Sequence, residues 1–408
     1  MTRTVLLTLG RLPKALDIAR AFAAAGWRVI IAEPFRHHLA GASRDVAASF
    51  QVTAPAANHA AYIGELRDIV VRENATLVIP VSEETMHVAH LRDLLPRGVT
   101  LFTMPAALVL DLHDKFRFIA RAGACGLDVP ATAPLGDPRG AALAADGDVV
   151  VKPALSCSGR GVRFLPRGTR LPAPETEPPA IVQRLVPGAV YSTCTVAHQG
   201  RAVATVIYRG GIMSGTVAVS FEIVPGHAAI TRWVETFVAA TCYTGFISFD
   251  FVVDSAGRAF AIECNPRATS GLHFLQPQDL VAAIVAPDSV RAARMRPEPE
   301  LQQFYASLTE TQKSITNRKR FVANARRLCR AWDVTWSWRD PMPFVTMPFT
   351  SWKIISMSIK QGKTFGEVAT LDVGWYADRS WTLPLPQDAS PPARPSPAPQ
   401  GCPSGTAS

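Results

Sequence analysis

Between residues 249 and 267 the chain reads Phe249-Asp250-Phe251, the turn residues Asp254-Ser255-Ala256-Gly257, then Phe260-Ala261-Ile262-Glu263-Cys264-Asn265-Pro266-Arg267. Two apolar runs around a tight turn predict a β-hairpin. Side chains alternate along a strand, so Glu263, Asn265 and Arg267 are expected on one face, with Asp250 on the neighbouring strand. Two carboxylates and an amide at this density suit a hard divalent cation that also binds phosphate oxygens.

Further segments upstream carry matching chemistry. Asp114-Lys115 opens a helix, where an ammonium and the positive helix end can both meet a phosphate. Lys152 closes the apolar run Val149-Val150-Val151-Lys152-Pro153, so it must point into a site or toward a partner. The loop Ala154–Val162 contains Ser156, Ser158, Gly159 and Gly161, small residues that let backbone N–H groups approach an anion. It is not a Walker A loop, because GxxxxGK[ST] is absent. Gln183-Arg184-Leu185 ends a strand whose backbone could hold the edge of a base.

Elements that must position these residues are also legible. Apolar strands at 4–9, 27–32, 77–80 and 99–102 alternate with helical patterns at 14–25, 60–74 and 83–94. That alternation predicts a doubly wound parallel sheet. Glu83-Glu84 follows the 77–80 strand at its carboxyl end, where one of them could reach a ligand, although carboxylates at a helix N-terminus are explained equally well by the helix dipole. Glu33 follows the second strand, but the first turn lacks GxGxxG and nicotinamide binding is not expected. Downstream, strands at 149–153, 180–183, 203–208 and 246–253 and a helix at 228–240 predict an α+β arrangement. The expected organisation is a doubly wound unit (1–110), a small α+β part (111–186), a larger part with the acidic hairpin (187–280), a basic helical extension (281–383) and a disordered Pro/Ala/Ser-rich tail (384–408).

Size and charge narrow the class. With 408 residues, 48% apolar and 18% charged, the chain has material for several cores. The start shows no secretory pattern, and no apolar run reaches the roughly 18 residues needed to span a bilayer. Seven scattered cysteines without CxxC read as reduced thiols, and a cytoplasmic location is expected. The net charge of +9 is concentrated after residue 290. It reads as solvated helix faces, with no signature of nucleic-acid binding. The apolar stretch 343–359 is expected to be a core helix, although peripheral membrane contact through the basic region is the competing reading.

Taken in order, these segments resemble the ATP-grasp superfamily over about residues 1–277. The similarity is to carboxylate–amine ligases, both stand-alone enzymes of bacterial specialised metabolism and the ATP-grasp domains of the carbamoyl phosphate synthase large subunit. The resemblance implies an α/β ATP-grasp fold in which 111–186 is the lid and ATP lies between two antiparallel sheets. It implies that Lys115 and Lys152 contact the α- and β-phosphates, that the loop Ser156–Gly161, including Ser158 and Gly159, closes over them, and that Gln183, Arg184 and Leu185 border the adenine. Asp250, Glu263 and Asn265 would hold Mg2+, with Mn2+ a workable substitute. Arg267 would face the transferred phosphoryl and acyl groups. One departure stands out, since Val190 occupies the position where the family often has a ribose-binding glutamate.

The implied reaction activates a carboxylate as an acyl phosphate and joins it to an amine or similar nucleophile, releasing ADP and phosphate. Partners would be small molecules, with a homodimer compatible. His273 is a candidate base for the amine, although a packed histidine fits the sequence equally well, and Arg209 is a candidate for the substrate carboxylate. The alternative is a non-catalytic ATP-binding scaffold or regulatory protein, membrane-associated through its basic C-terminal region.

Overall fold

The computed structural model describes residues 3–156, 159–176, 178–362 and 365–376. Ser158 and the Pro/Ala/Ser-rich stretch beyond residue 383 lie outside the described residues.

Five strands, β1 (Thr4–Leu7), β2 (Arg28–Glu33), β3 (Ala48–Gln51), β4 (Ala75–Ile79) and β5 (Thr100–Leu101), form a parallel sheet in the order β3-β2-β1-β4-β5. The expected doubly wound unit is therefore present, with β3 as an extra edge strand. Leu7, Ile31 and Ile79 point toward the helix Pro13–Ala24, whereas Leu6, Ile30 and Val78 point toward the helix His59–Arg72. Burial on both faces explains the nearly continuous apolar strands. Strand order reverses between β1 and β4, so the carboxyl ends of these two strands open the crevice where such sheets take ligands.

A second sheet contains β6 (Thr132–Pro134), β7 (Val149–Pro153), β8 (Arg163–Leu165) and β9 (Ala180–Arg184), ordered β6-β9-β7-β8 and antiparallel throughout. Val149, Val151 and Val182 pack with Ala144 of the helix Pro138–Asp146. Alternation along the strands then leaves Val150, Lys152 and Gln183 on the opposite face.

The largest sheet is built from β10 (Ala189–His198), β11 (Arg201–Gly210), β14 (Ser220–Ile223), β15 (Gly245–Val253), β16 (Ala259–Asn265), β17 (Glu300–Gln302) and β18 (Trp332–Asp333). A short hairpin, β12 (Met213–Ser214) with β13 (Val217–Ala218), interrupts it. One face carries Cys194, Val196, Val206, Tyr208 and Phe246 and packs toward the first domain through the helices Pro13–Ala24 and Pro277–Val285. The other carries Ile207, Ile247, Phe249 and Phe251 beneath the helix Ala228–Ala240, where Trp233 and Phe237 stack at 5.4 Å.

The C-terminal segment returns to the first sheet. Ile354 packs with Phe35, and Asp372 pairs with Arg11. Arg11 is buried between Glu33 and Asp372 beneath the Phe35 ring, and Glu33 also accepts the amides of Gly10, Arg11 and Phe35. Glu33 is thus a structural carboxylate. Burial alone would raise its pKa, but Arg11 and these donors hold it below the usual carboxylate value.

Two expectations are revised. Residues 343–359 are not a core helix: they divide into the helices Met342–Thr350 and Trp352–Gln361, each with one face in solvent. Pro348 and Ser351 interrupt the ladder there; Pro343, Met347 and Ile354 are the buried apolar residues, with Phe344 and Met357 partly covered. Cys125, Cys194, Cys264 and Cys329 are free thiols, but Cys242 is disulfide-bonded.

Replacing Arg11 by Met strands Glu33 in the core and is expected to cost about 3–5 kcal/mol in denaturant unfolding. Because the Glu33 pKa is depressed on folding, the pair stabilises above the ordinary carboxylate value of 4.5. The wild-type advantage over R11M should therefore shrink as pH falls below that value.

Candidate active site

The acidic hairpin forms as expected. Strand β15 pairs antiparallel with β16, with Asp250 opposite Glu263 and Ser248 opposite Asn265. A bulge after Asp250 inserts Ile262 and turns its carbonyl out of the ladder register. Asp250 accepts a hydrogen bond from Ser192 Oγ at 2.6 Å and one from Asn265 Nδ2 at 3.4 Å. Its pKa is raised to about 6, first by burial and then by the Glu263 charge across the strands. Two carboxylates held against each other in this way can share a cation.

Lys115 and Lys152 approach this pair. Lys115 Nζ lies 3.7 Å from Glu263 Oε2 and donates to the Ser156 carbonyl at 2.7 Å and to Ser156 Oγ at 3.3 Å. Asp114 caps its helix by accepting the amides of Phe116 and Arg117. Lys152, on the inward face of the small sheet, donates to the Ile262 carbonyl at 2.9 Å. Burial lowers its pKa to about 8, with Glu263 opposing the shift. Both ammoniums are almost wholly buried, and no apolar packing requires lysine there.

The loop after β7 uses its glycines. Gly159 and Gly161 have φ of +63° and +71°, in the left-handed region. A Cβ at Gly159 would lie 2.6 Å from Thr216 in the β12–β13 turn, and one at Gly161 would meet Pro153 at 2.9 Å. Arg160 between them donates to Tyr376 Oη at 2.6 Å.

At the other end of the hairpin, Arg267 pairs with buried Glu83 at 2.5 Å and donates to Asn265 Oδ1 at 2.9 Å. Glu83 thus holds the arginine and not a free amine. Glu84 is occupied with Thr8 Oγ1 and the Val81 and Ser82 amides, a structural role that ties the ends of β1 and β4. Lys14 joins this cluster, donating to the Ala268 carbonyl at 2.7 Å. Burial and the nearby Arg267 lower its pKa to about 7. Sequence reading missed Lys14, although a lysine and Asp17 on the apolar face of the first helix are a readable signal.

Four sequence candidates land elsewhere. Arg209 stands on the opposite face of the large sheet from Asp250: it lies 5.8 Å from the Tyr191 ring and 3.5 Å from Glu222. His273 is buried, and its Nδ1 lies 2.7 Å from Asp17, which Arg296 also approaches at 3.3 Å. It joins the first domain to the segment after the hairpin. The Arg184 side chain pairs with Asp146 on the outer face of the small sheet, and the Leu185 amide is spent on the Asp148 carbonyl at 3.0 Å. Gln183 does face inward, donating to Thr132 Oγ1. Val190 shares the face of Ser192 and Asp250 and is 61% exposed, so an apolar group stands there. Tyr191 points the other way.

Among the described residues no three His, Cys, Asp or Glu side chains converge as a preformed metal cage. The donor set of Asp250, Glu263 and Asn265 instead fits Mg2+, which is commonly held by one or two carboxylates together with substrate phosphates.

Residues 113–271 match the ATP-grasp domain family. The chain carries an ATP-grasp domain. No curated protein sequence matches it. Solved structures share the fold at low identity. The ADP complex of N5-carboxyaminoimidazole synthetase from Staphylococcus aureus is 11% identical, with a TM-score of 0.60 over 78% of this chain and 86% of that one. L-amino acid ligase from Bacillus licheniformis is 15% identical, with a TM-score of 0.52 over 70% and 74%. The biotin carboxylase domain of Hydrogenobacter thermophilus 2-oxoglutarate carboxylase, in complex with MgADP, ADP and bicarbonate, is 14% identical, with a TM-score of 0.55 over 70% of each chain.

Replacing Gly159 by Ala should weaken nucleotide affinity about fivefold, since the left-handed backbone alone costs about 1 kcal/mol or more. Titration of ADP by calorimetry checks this. The double variant with Thr216→Gly should recover part of the loss by removing the steric contact.

Proposed function

We propose that this chain is an ATP- and Mg2+-dependent, ADP-forming ligase that activates a carboxylate as its acyl phosphate and joins it to an amine. The observation that carries this reading is the convergence of Lys115 and Lys152 on the Asp250–Glu263 pair, with Arg267 at the next turn. The relatives in fold include a synthetase crystallised with ADP and an amino acid ligase.

The carboxylate oxygen of the acid attacks the γ-phosphorus of ATP, the β–γ bridging bond breaks, and ADP leaves with the electron pair. The amine nitrogen then attacks the acyl carbon, phosphate departs, and the amine proton is lost. Bound Mg2+, held by Asp250, Glu263 and Asn265, would supply charge neutralisation for the phosphates. Lys115 and Lys152 orient the polyphosphate and offset its charge in a water-poor cleft. Lys115 also fixes Ser156 at the root of the glycine loop, so phosphate binding and loop position are mechanically linked. Arg267, held by Glu83, offers its guanidinium plane to the acyl and phosphoryl oxygens. The acid would bind at the carboxyl ends of β1 and β4, beside Arg267.

The test is ADP release across a panel of amino acids and small carboxylates paired with amines. One acid–amine pair should raise ADP formation in a Mg2+-dependent way, and Glu263→Gln should lower it about a hundredfold or more. No stimulation by any pair, together with unchanged cellular activity of the Glu263→Gln variant, would identify a non-catalytic ATP-binding scaffold instead.

A further inference from the structure

The segment after the hairpin region holds an exposed surface that the ligase site does not use. Along the helices Met342–Thr350 and Trp352–Gln361, Met342, Val345, Phe349, Trp352 and Ile359 recur at spacings of three, four, three and seven. Phe349 is 80% exposed, Trp352 63% and Ile359 75%. Just before them Trp338 is 84% exposed, propped edge-on against Trp336, which in turn packs on Phe344. The inner side of these helices is anchored: Ile354 is buried beside Phe35, and Lys353 sits 4.0 Å over the Phe35 ring. The outer stripe is therefore held rigidly in water. An ordinary surface scatters apolar side chains singly, and a contiguous stripe marks an interaction face.

Charge identifies the occupant. Residues 318–360 contain nine Lys and Arg and no Glu, and Asp333 and Asp340 are the two acidic residues, so this stretch carries seven of the chain's net nine positive charges. Asp340 is spent on Arg20 and Ser43, and Asp333 on the amides of Phe304, Thr335 and Trp336. Arg339, Lys353 and Lys360 are exposed beside the stripe. The preceding helix Arg318–Arg330 adds six further cations. Its end meets the tryptophan loop at a cleft of about 360 Å³ lined by Arg296, Trp332, Trp338 and Arg339.

We propose that this face docks on an anionic lipid bilayer, with Trp338, Phe349, Trp352 and Ile359 in the headgroup layer and the flanking cations on acidic headgroups. Among the described residues no helix is long and apolar enough to cross a membrane, so the helices lie on the surface. A second copy of this chain would bring equal positive charge against itself. Nucleic acid would satisfy the cations but leave the apolar stripe in water. A bilayer surface with anionic headgroups offers both partners at once.

The full chain is sedimented with vesicles of pure phosphatidylcholine and with vesicles containing about one-third phosphatidylserine. Binding to the anionic vesicles should be about tenfold tighter or more, and should fall steeply when salt is raised from about 0.1 to 0.5 M. The triple variant Phe349→Ser, Trp352→Ser, Ile359→Ser should lose about tenfold or more in vesicle binding while keeping the wild-type circular dichroism spectrum. Lys353→Glu with Lys360→Glu should lose binding to anionic vesicles specifically. Absence of vesicle binding at low salt overturns the proposal, as does binding that the triple variant leaves unchanged. A concentration-dependent dimer that the triple variant disperses, without vesicle binding, assigns the face to a second copy and also overturns it.

Discussion

The structure depends on one unfavourable contact, the juxtaposition of Asp250 and Glu263 across adjacent strands. Like charges directly opposite each other destabilise a sheet. Here they are also partly withdrawn from water, and the Asp250 proton affinity rises as a result. Such an arrangement persists only if the surrounding fold overdetermines it. The sources of that overdetermination are visible: Phe249 and Phe251 anchor β15 from the opposite face among Trp233 and Phe237, and Ser192 and Asn265 orient Asp250 from the same face. The apolar side of the sheet holds in place what the polar side would otherwise push apart.

Compensating charges come from different parts of the chain, and this ties the layers together. Lys152 projects from the small sheet, Lys115 from the helix joining the first unit to it, and Glu83 from the doubly wound sheet through Arg267. Each pair crosses between elements far apart in sequence. A polyphosphate with its cation would replace the direct Lys–Glu contact with alternating charges along the cleft. The site is therefore preorganised in position, as suits phosphoryl transfer, where positioning and electrostatics do most of the catalytic work.

How much of this could be read in advance depends on whether a feature was local. The hairpin, the helix Ala228–Ala240 and the parallel strands followed from periodicity and turn residues, because alternation and helical spacing are properties of short windows. The glycines at 159 and 161 were legible for the same reason. Arg209 failed because alternation fixes which residues share a face but not which face becomes the cleft; only pairing with β10 and β15 settles that. The partners of His273 and Glu83 were not legible because Asp17 and Arg267 are 256 and 184 positions away in the chain. Strand β3 has two exposed residues in four and little apolar signal of its own; pairing with β2 creates it. The 343–359 segment is apolar enough for a core, but the first sheet has room for only one side of it.

The route of the C-terminal segment gives that half-exposed region its structural logic. After the helix Trp352–Gln361 the chain returns along the first unit, where Asp372 completes the buried Arg11–Glu33 group and the Asp372 carbonyl accepts the Ala56 amide. Trp375 then settles among His59, His87 and His90, at 4.9 Å from His87 and stacked on His90 at 5.8 Å, while its carbonyl meets His113. Burial holds these histidines neutral, with His59 at about 4 and His87 at about 3, so at ordinary pH they form a weakly polar socket and not a charged one. One residue later Tyr376 reaches the glycine loop through Arg160, whose guanidinium lies 4.8 Å from the tyrosine ring. A single strap thus runs from the exposed tryptophan-bearing helices through the first sheet to the loop beside the lysine–carboxylate cluster. Because the strap is fixed by a buried ion pair at one point and an aromatic socket at the next, Tyr376 meets the loop from a position set by the first unit.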